Sequence, residues 1–294
     1  MPLVPMRELL RRAVENEYAV GYFESWDQYS LEAVVEAAEE ARSPVIIGFG
    51  GMTTSHIWLE NGGIRLFAAM GKAAAESAKI PAAFILNEVP SMELALQGLK
   101  LGMNAVMLDT EDMPIETNIN LTQRLVEAAH KLGADVEGEC GSLPDASKET
   151  VGAGLTNPIE AARYVKETGI DALSVAIGNV HILTEGKSTI DFGLLAEIHK
   201  MVDTPLVIHG GTGFPDESVG KAISLGVAKF NVGTIMKKIY LETIRKALQN
   251  LHEDIKVQDV VGSRKPADIF ELAKDAVKTE VIRRMRVYRS AGKA

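Results

Sequence analysis

A chain of 294 residues with 46% hydrophobic side chains is long enough to bury one large core, and it reads as a single domain over residues 1–294. Its formal net charge of -9 argues against nucleic acid or an anionic membrane surface as a main partner, because both repel an acidic protein. The single cysteine, Cys140, leaves no internal disulfide and no cysteine-based zinc cluster; no signal-peptide pattern opens the chain and no apolar run reaches a membrane span, so a cytoplasmic protein is expected.

An amphipathic stretch, Met6 to Glu15, predicts a helix before the first strand, the apolar run Ala19 to Phe23. A helical pattern from Ser30 to Ala41 follows. Strand-like runs then recur at Val45 to Phe49, Ala82 to Leu86, Ala105 to Leu108, Asp135 to Gly138, Leu173 to Ile177, Leu206 to Ile208 and Val227 to Phe230. Between them lie helical patterns near Ile64 to Ala78, Met92 to Leu101, Ile115 to Leu132, Pro158 to Thr168, Phe192 to Met201 and Asp216 to Leu225. Ile235 to Leu248 follows the last strand, and a final helix spans about Pro266 to Val287. Strands alternating with helices in this way predict an α/β protein of the closed (β/α)8 kind, with an extra N-terminal helix and a C-terminal helical extension. Gly102, Gly133, Gly169 and Gly226 sit where helices turn back toward strands. Gly141 to Gly154, the longest stretch without an apolar pattern, reads as a mobile active-site loop after the fifth strand. The arginines Arg283, Arg284, Arg286 and Arg289 read as a solvated helix face.

Active sites of such barrels form where strands end, so the residues just beyond each run matter most: Glu24, Gly50, Asn87 with Glu88, Asp109, Glu139, His181, His209 and Asn231. His181 and His209 follow two successive strands and suggest one shared metal, whereas His56, His130, His199 and His252 fall in or beside helical patterns. Two histidines and a carboxylate suffice for zinc, iron or manganese; Glu88 is the first candidate for that carboxylate, ahead of Asp109 and Glu139. The turns Gly210-Gly211-Thr212-Gly213 and Asn231-Val232-Gly233-Thr234 offer backbone N–H groups and hydroxyls after the seventh and eighth strands, the usual place for a phosphate in this architecture.

These residues resemble the class II, metal-dependent ketose-bisphosphate aldolases, which include fructose- and tagatose-bisphosphate aldolases. The resemblance runs nearly end to end, through Tyr18-Ala19-Val20, Arg42-Ser43-Pro44-Val45-Ile46, Asp171 to Gly178, Pro205 to Gly213, Pro215-Asp216-Glu217, Asn231-Val232 and Ser290 to Ala294. It implies a TIM barrel that binds a catalytic divalent ion, zinc first and manganese, cobalt or iron as alternatives. The ion would polarise the ketone of dihydroxyacetone phosphate and stabilise its enediolate, and the enzyme would be a homodimer or homotetramer acting on a small phosphorylated sugar. On that resemblance His181 and His209 bind the metal. Phosphate lies on Gly210, Gly211, Thr212, Gly233 and Thr234, with Asn231 near the ketose hydroxyls. Glu139 matches a family glutamate of a second metal position, with Asp109 beside it.

Several mouth positions depart from the family. Its Asp-His pair after the third strand, a proton-exchanging acid and a third metal ligand, is here Asn87-Glu88. Asn87 hydrogen-bonds but exchanges no proton, and Glu88 supplies a carboxylate ligand in place of the imidazole. Ile182 stands where a glycine usually follows the histidine, and Glu24 where an asparagine is common. The loop after the fifth strand lacks the family's Gly-Gly and glutamate, leaving Glu149 and Asp145 as substitutes. The expected function is therefore an aldolase-type lyase with metal ligands Glu88, His181 and His209 and catalytic candidates Asn87, Glu24, Asp109 and Glu139. The alternatives are isomerisation or epimerisation of a sugar phosphate, and a non-catalytic sugar-phosphate-binding subunit.

Overall fold

The computed structural model describes residues 3–146, 154–251 and 255–294. Among them, eight parallel strands close a barrel in chain order, β1 (Val20–Ser25), β2 (Val45–Gly50), β3 (Ala82–Val89), β4 (Ala105–Leu108), β5 (Asp135–Cys140), β6 (Ala172–Val175), β7 (Leu206–Ile208) and β8 (Val227–Val232), with β8 pairing back onto β1. Helix α1 (Met6–Glu15) precedes β1, and α2 (Gln28–Ala41) follows it. The short turn α3 (His56–Trp58) and α4 (Ile64–Ser77) lie between β2 and β3. One helix then follows each strand: α5 (Met92–Lys100), α6 (Ile115–Lys131), α7 (Pro158–Thr168), α8 (Phe192–Met201), α9 (Asp216–Ile223) and α10 (Thr234–Gln249). Helices α11 (Val257–Val260) and α12 (Ile269–Val287) end the chain. This is the expected TIM barrel.

Local chemistry explains the alternation. The strands are buried on both faces, which selects continuous apolar runs such as Val45 to Phe49 rather than an alternating pattern. Several helix starts carry a side-chain cap. Ser30 N–H donates to Asp27 Oδ1 at 2.7 Å while Asp27 N–H donates to Ser30 Oγ at 3.0 Å, and Asn157 caps α7 ahead of Pro158. Helix α12 packs between α2 and α10 and completes the outer ring.

Helix α1 closes the bottom of the barrel. Met6, Leu9, Leu10 and Ala13 are buried against Val20, Ile46, Ala83 and Val207, and each large side chain contributes about 1.5–3 kcal/mol by leaving water. A charged clasp holds the same helix: Arg7 N–H donates to Asp135 Oδ2 at 2.8 Å and its guanidinium lies 2.7 Å from Asp135 Oδ1.

Several strands run further than the apolar runs alone predict, and this moves candidate residues from beyond the strands into them. Glu24 belongs to β1, Asn87 and Glu88 to β3, Glu139 to β5 and Asn231 to β8. Backbone ladder bonds therefore fix their directions. In β3 the register with β4 slips between Leu86 and Val89, and Glu88 takes φ 52°. That bulge is the local device that aims Glu88. The arginine reading is corrected in one respect: Arg284 is buried, because its guanidinium donates to the carbonyls of Gly211 (2.8 Å) and Thr212 (3.4 Å) instead of facing solvent.

Burial, reinforced by the neighbouring Asp171, raises the Asp135 carboxyl to about 6 despite the bond from Arg7 N–H. An acid whose folded pKa is raised stabilises the fold in its protonated form, and that contribution is lost as pH rises from about 4 through about 6. Asp135→Asn therefore gains melting temperature relative to the unsubstituted protein between pH 5 and pH 7.5, measured by thermal denaturation. A difference independent of pH contradicts this.

Candidate metal and substrate site

The strand ends form a cleft whose walls include Glu24, Asn87, Glu88, His181, His209 and Asn231. Glu88, His181 and His209 come together there, with one ligand atom from each lying within 4.8 Å of the others. Glu88 Oε1 is 3.0 Å from His209 Nδ1 and 3.8 Å from His181 Nε2, and the two imidazole rings stand edge to face with centroids 5.7 Å apart. Donors roughly 2.0–2.2 Å from one ion stand at such separations, so this set has the chemistry and spacing of a two-histidine, one-carboxylate site.

Behind the cluster runs a chain of buried charges that strand sequence alone did not single out. His209 Nε2 lies 2.8 Å from Glu137 Oε1, and Glu137 Oε2 accepts from Lys229 Nζ at 2.5 Å, with Glu137 and Lys229 both fully buried. If His209 keeps its proton on Nε2 for Glu137, Nδ1 presents a lone pair toward Glu88, the outer hydrogen-bond arrangement typical of metal-bound histidine. Burial alone would lower the His209 imidazole, but the carboxylates of Glu88 and Glu137 raise it to about 10. Burial would likewise raise Glu88, yet His209, His181 and Lys229 hold it down at about 2. The pocket between Glu88 and His209 thus stabilises positive charge strongly, whether a proton or an ion, and the residues present fit a divalent cation.

Asn87 steadies this arrangement. Its Nδ2 donates to Glu88 Oε2 at 2.6 Å, and its Oδ1 accepts from Asn231 Nδ2 at 3.5 Å. An ionised carboxylate only accepts hydrogen bonds, so Asn87 must present its amide nitrogen to Glu88.

The glycine turns line the same cleft beside His209 and Asn231. Gly210 adopts φ 67°, and a side chain there would meet the Val180 carbonyl at 2.1 Å, so glycine is required for the loop after β7 to lie on the loop after β6. Gly211 N–H donates to the Asn231 carbonyl at 2.9 Å, which removes it from the expected anion-binding set. Thr212 accepts from Ile235 N–H at 3.2 Å and Arg284 holds the carbonyls of Gly211 and Thr212, so the loop is gripped from behind. Gly233 and Thr234 open α10, whose 16 residues direct an N-terminus at the cleft.

The remaining candidates are less central. Glu24 accepts from Lys237 Nζ at 2.7 Å and from the Thr53 hydroxyl, and its carboxylate lies where a side chain on Gly233 would be. Glu139 accepts from Thr110 N–H at 2.7 Å, and burial raises it to about 8; it stands outside the three-ligand cluster, as does Asp109, whose carboxylate accepts from Glu111 N–H at 3.4 Å. Ile182 lines the cleft with φ 54°, a strained backbone for a β-branched residue at the family's glycine position. Asp145 forms a bridge with His181, whose N–H donates to the Pro144 carbonyl at 2.9 Å, so the described part of the loop after β5 anchors a metal-site candidate. Glu149 and His252 lie outside the described residues. His130 binds Asp171 at 2.9 Å, far from the cleft wall.

Sequence reasoning missed Glu137, Lys229 and Tyr22 because each lies inside an apolar run that had been read only as a strand. The available signal was the charge itself, since lysine and glutamate in the middle of a doubly buried strand need partners.

Comparison with known proteins identifies the family. A family model described as class-II fructose-bisphosphate aldolase matches residues 4–293. A fructose-bisphosphate aldolase of Geobacillus stearothermophilus is 36% identical over 298 residues, covering 100% of this chain and 99% of its own. A 6-phospho-5-dehydro-2-deoxy-D-gluconate aldolase of Bacillus licheniformis is 34% identical over 297 residues, covering 100% and 97%. Among solved structures, the YdjI aldolase from Escherichia coli K12 superposes with a TM-score of 0.81 at 30% identity, covering 99% of each chain. Fold, family match and end-to-end relatives together establish that this chain belongs to the class II fructose-bisphosphate aldolase family of metal-dependent, aldolase-type lyases.

Proposed function

We propose that the protein makes or breaks a carbon–carbon bond in a phosphorylated ketose, with dihydroxyacetone phosphate or a similar compound as the donor half. The observation that carries this reading is one cleft that holds both the Glu88, His181 and His209 cluster and the anion-binding turns after β7 and β8. Those three residues would hold the ion, zinc first, with manganese, cobalt or iron as alternatives. When bound, the ion supplies a Lewis acid that polarises the substrate carbonyl.

The chain's own residues do the rest. Gly210 and Thr212 on one turn and Gly233 and Thr234 on the other receive the phosphate, favoured by the positive end of α10. Asn231 reads a substrate hydroxyl, and Asn87 keeps Glu88 turned toward the histidines. Glu24 lies against Gly50 and Gly233 with its charge offset by Lys237, and so limits how far an anion extends toward β1. Asp109, just after β4, and Glu139 on β5 lie near Glu88, and Glu139 stays largely protonated at neutral pH because burial disfavours its charge.

The Asn87 amide favours one second reading, isomerisation or epimerisation without cleavage, because an amide is not a general acid or base and so does not trade a proton with an aldehyde-derived oxygen. Incubating the protein with ketose phosphates and zinc, manganese or cobalt separates the two. Cleavage products establish the lyase, whereas solvent deuterium entering the ketose without cleavage establishes the isomerase. Failure of both, together with no divalent metal in the purified protein, contradicts the proposal.

Metal affinity gives a further expected outcome. Glu88→Ala removes a ligand and abolishes tight metal uptake, while Glu137→Gln, acting through His209, weakens it by about 10–100-fold, both read by competition with a chelating dye. Unchanged affinity in Glu88→Ala places the ion elsewhere.

A further inference from the structure

Tyr22 lies on β1 in register with Asn231 on β8, and both line the floor of the cleft. The Tyr22 side chain is almost wholly buried, and among the described residues its hydroxyl has no hydrogen-bond partner. Asn231 Oδ1 is also buried without a partner, although its Nδ2 reaches Asn87. Other buried orphan atoms, such as the hydroxyls of Ser25 and Tyr288, do not line the cleft. Two orphans on register-paired residues of one cleft, one a donor and one an acceptor, are costly in a folded protein unless something from outside completes them.

The surroundings keep the phenol a donor. Burial, reinforced by the carboxylates of Glu24, Glu88 and Glu137, raises its pKa well above the ordinary value, and Lys229 Nζ lies 5.1 Å from the ring centroid. A phenylalanine would fill the same space without an unsatisfied hydroxyl, so packing alone gives no reason for tyrosine.

We propose that Tyr22 is a substrate-binding residue whose O–H donates a hydrogen bond to a hydroxyl oxygen of the ketose, while Asn231 Oδ1 accepts the hydrogen of that hydroxyl. The pair thereby selects for a hydroxyl beside the carbonyl carbon at the β1–β8 side of the cleft. This inference rests on the ketose reading above, but not on the phosphate. It also gives the cleft a polar donor that the Asn87-Glu88 pair does not supply, since Asn87 already spends its amide on Glu88.

The test is calorimetric binding of three probes to zinc-supplied protein and to Tyr22→Phe: dihydroxyacetone phosphate, hydroxyacetone phosphate, which lacks the hydroxyl, and unphosphorylated dihydroxyacetone. The unsubstituted protein is expected to favour dihydroxyacetone phosphate over hydroxyacetone phosphate at least tenfold, and Tyr22→Phe to lose most of that preference while its melting temperature holds or rises. An unchanged preference in Tyr22→Phe overturns the inference, as does the absence of binding by all three probes. Dihydroxyacetone bound as tightly as its phosphate, and weakened in Tyr22→Phe, supports the inference and overturns the phosphate reading instead.

Discussion

The site depends on one buried relay of charge that crosses the barrel from Lys229 through Glu137 and His209 to Glu88. Each group in it would be expensive to bury alone, and each is tolerable because the next compensates it. Lys229 neutralises Glu137, Glu137 fixes the His209 ring, and the ring faces Glu88 with the nitrogen that a metal would use. The relay ends at the cleft, where it creates a strong preference for a cation.

Asn87 and Glu88 are coupled by the same electrostatics. A carboxylate in place of the imidazole ligand brings negative charge beside the neighbouring side chain, and an aspartate there would add a second negative charge alongside it. The amide of Asn87 avoids that repulsion and instead donates to Glu88 at 2.6 Å. The bulge in β3 completes the exchange by turning Glu88 into the left-handed region, where it meets both histidines. The relatives named above are aldolases, and this chain shares their barrel.

The barrel was legible because burial on both faces produces apolar runs separated by helical periods, and that alternation admits few architectures. His181, His209 and Glu88 were legible as residues near strand ends, and their convergence follows from the barrel's closure. The relay was not legible from periodicity, since Glu137 and Lys229 interrupt apolar runs as single charged residues whose partners lie on other strands, 72 and 92 residues away along the chain. Tyr22 looked like an ordinary aromatic of a buried strand. Its hydroxyl has no partner among the described residues, a consequence of packing across strands that the periodicity of one strand does not encode. Arg284 was misread for a related reason: helical spacing says which residues share a face, but not that a glycine loop's carbonyls wait beneath one of them.

The most direct test of the central claim is an anomalous-scattering map at the zinc edge from crystals grown with zinc. The account predicts a peak roughly 2.0–2.2 Å from a Glu88 carboxylate oxygen, His181 Nε2 and His209 Nδ1, with His209 Nε2 still on Glu137. A peak bound through His209 Nε2, or a peak away from Glu88, would contradict it.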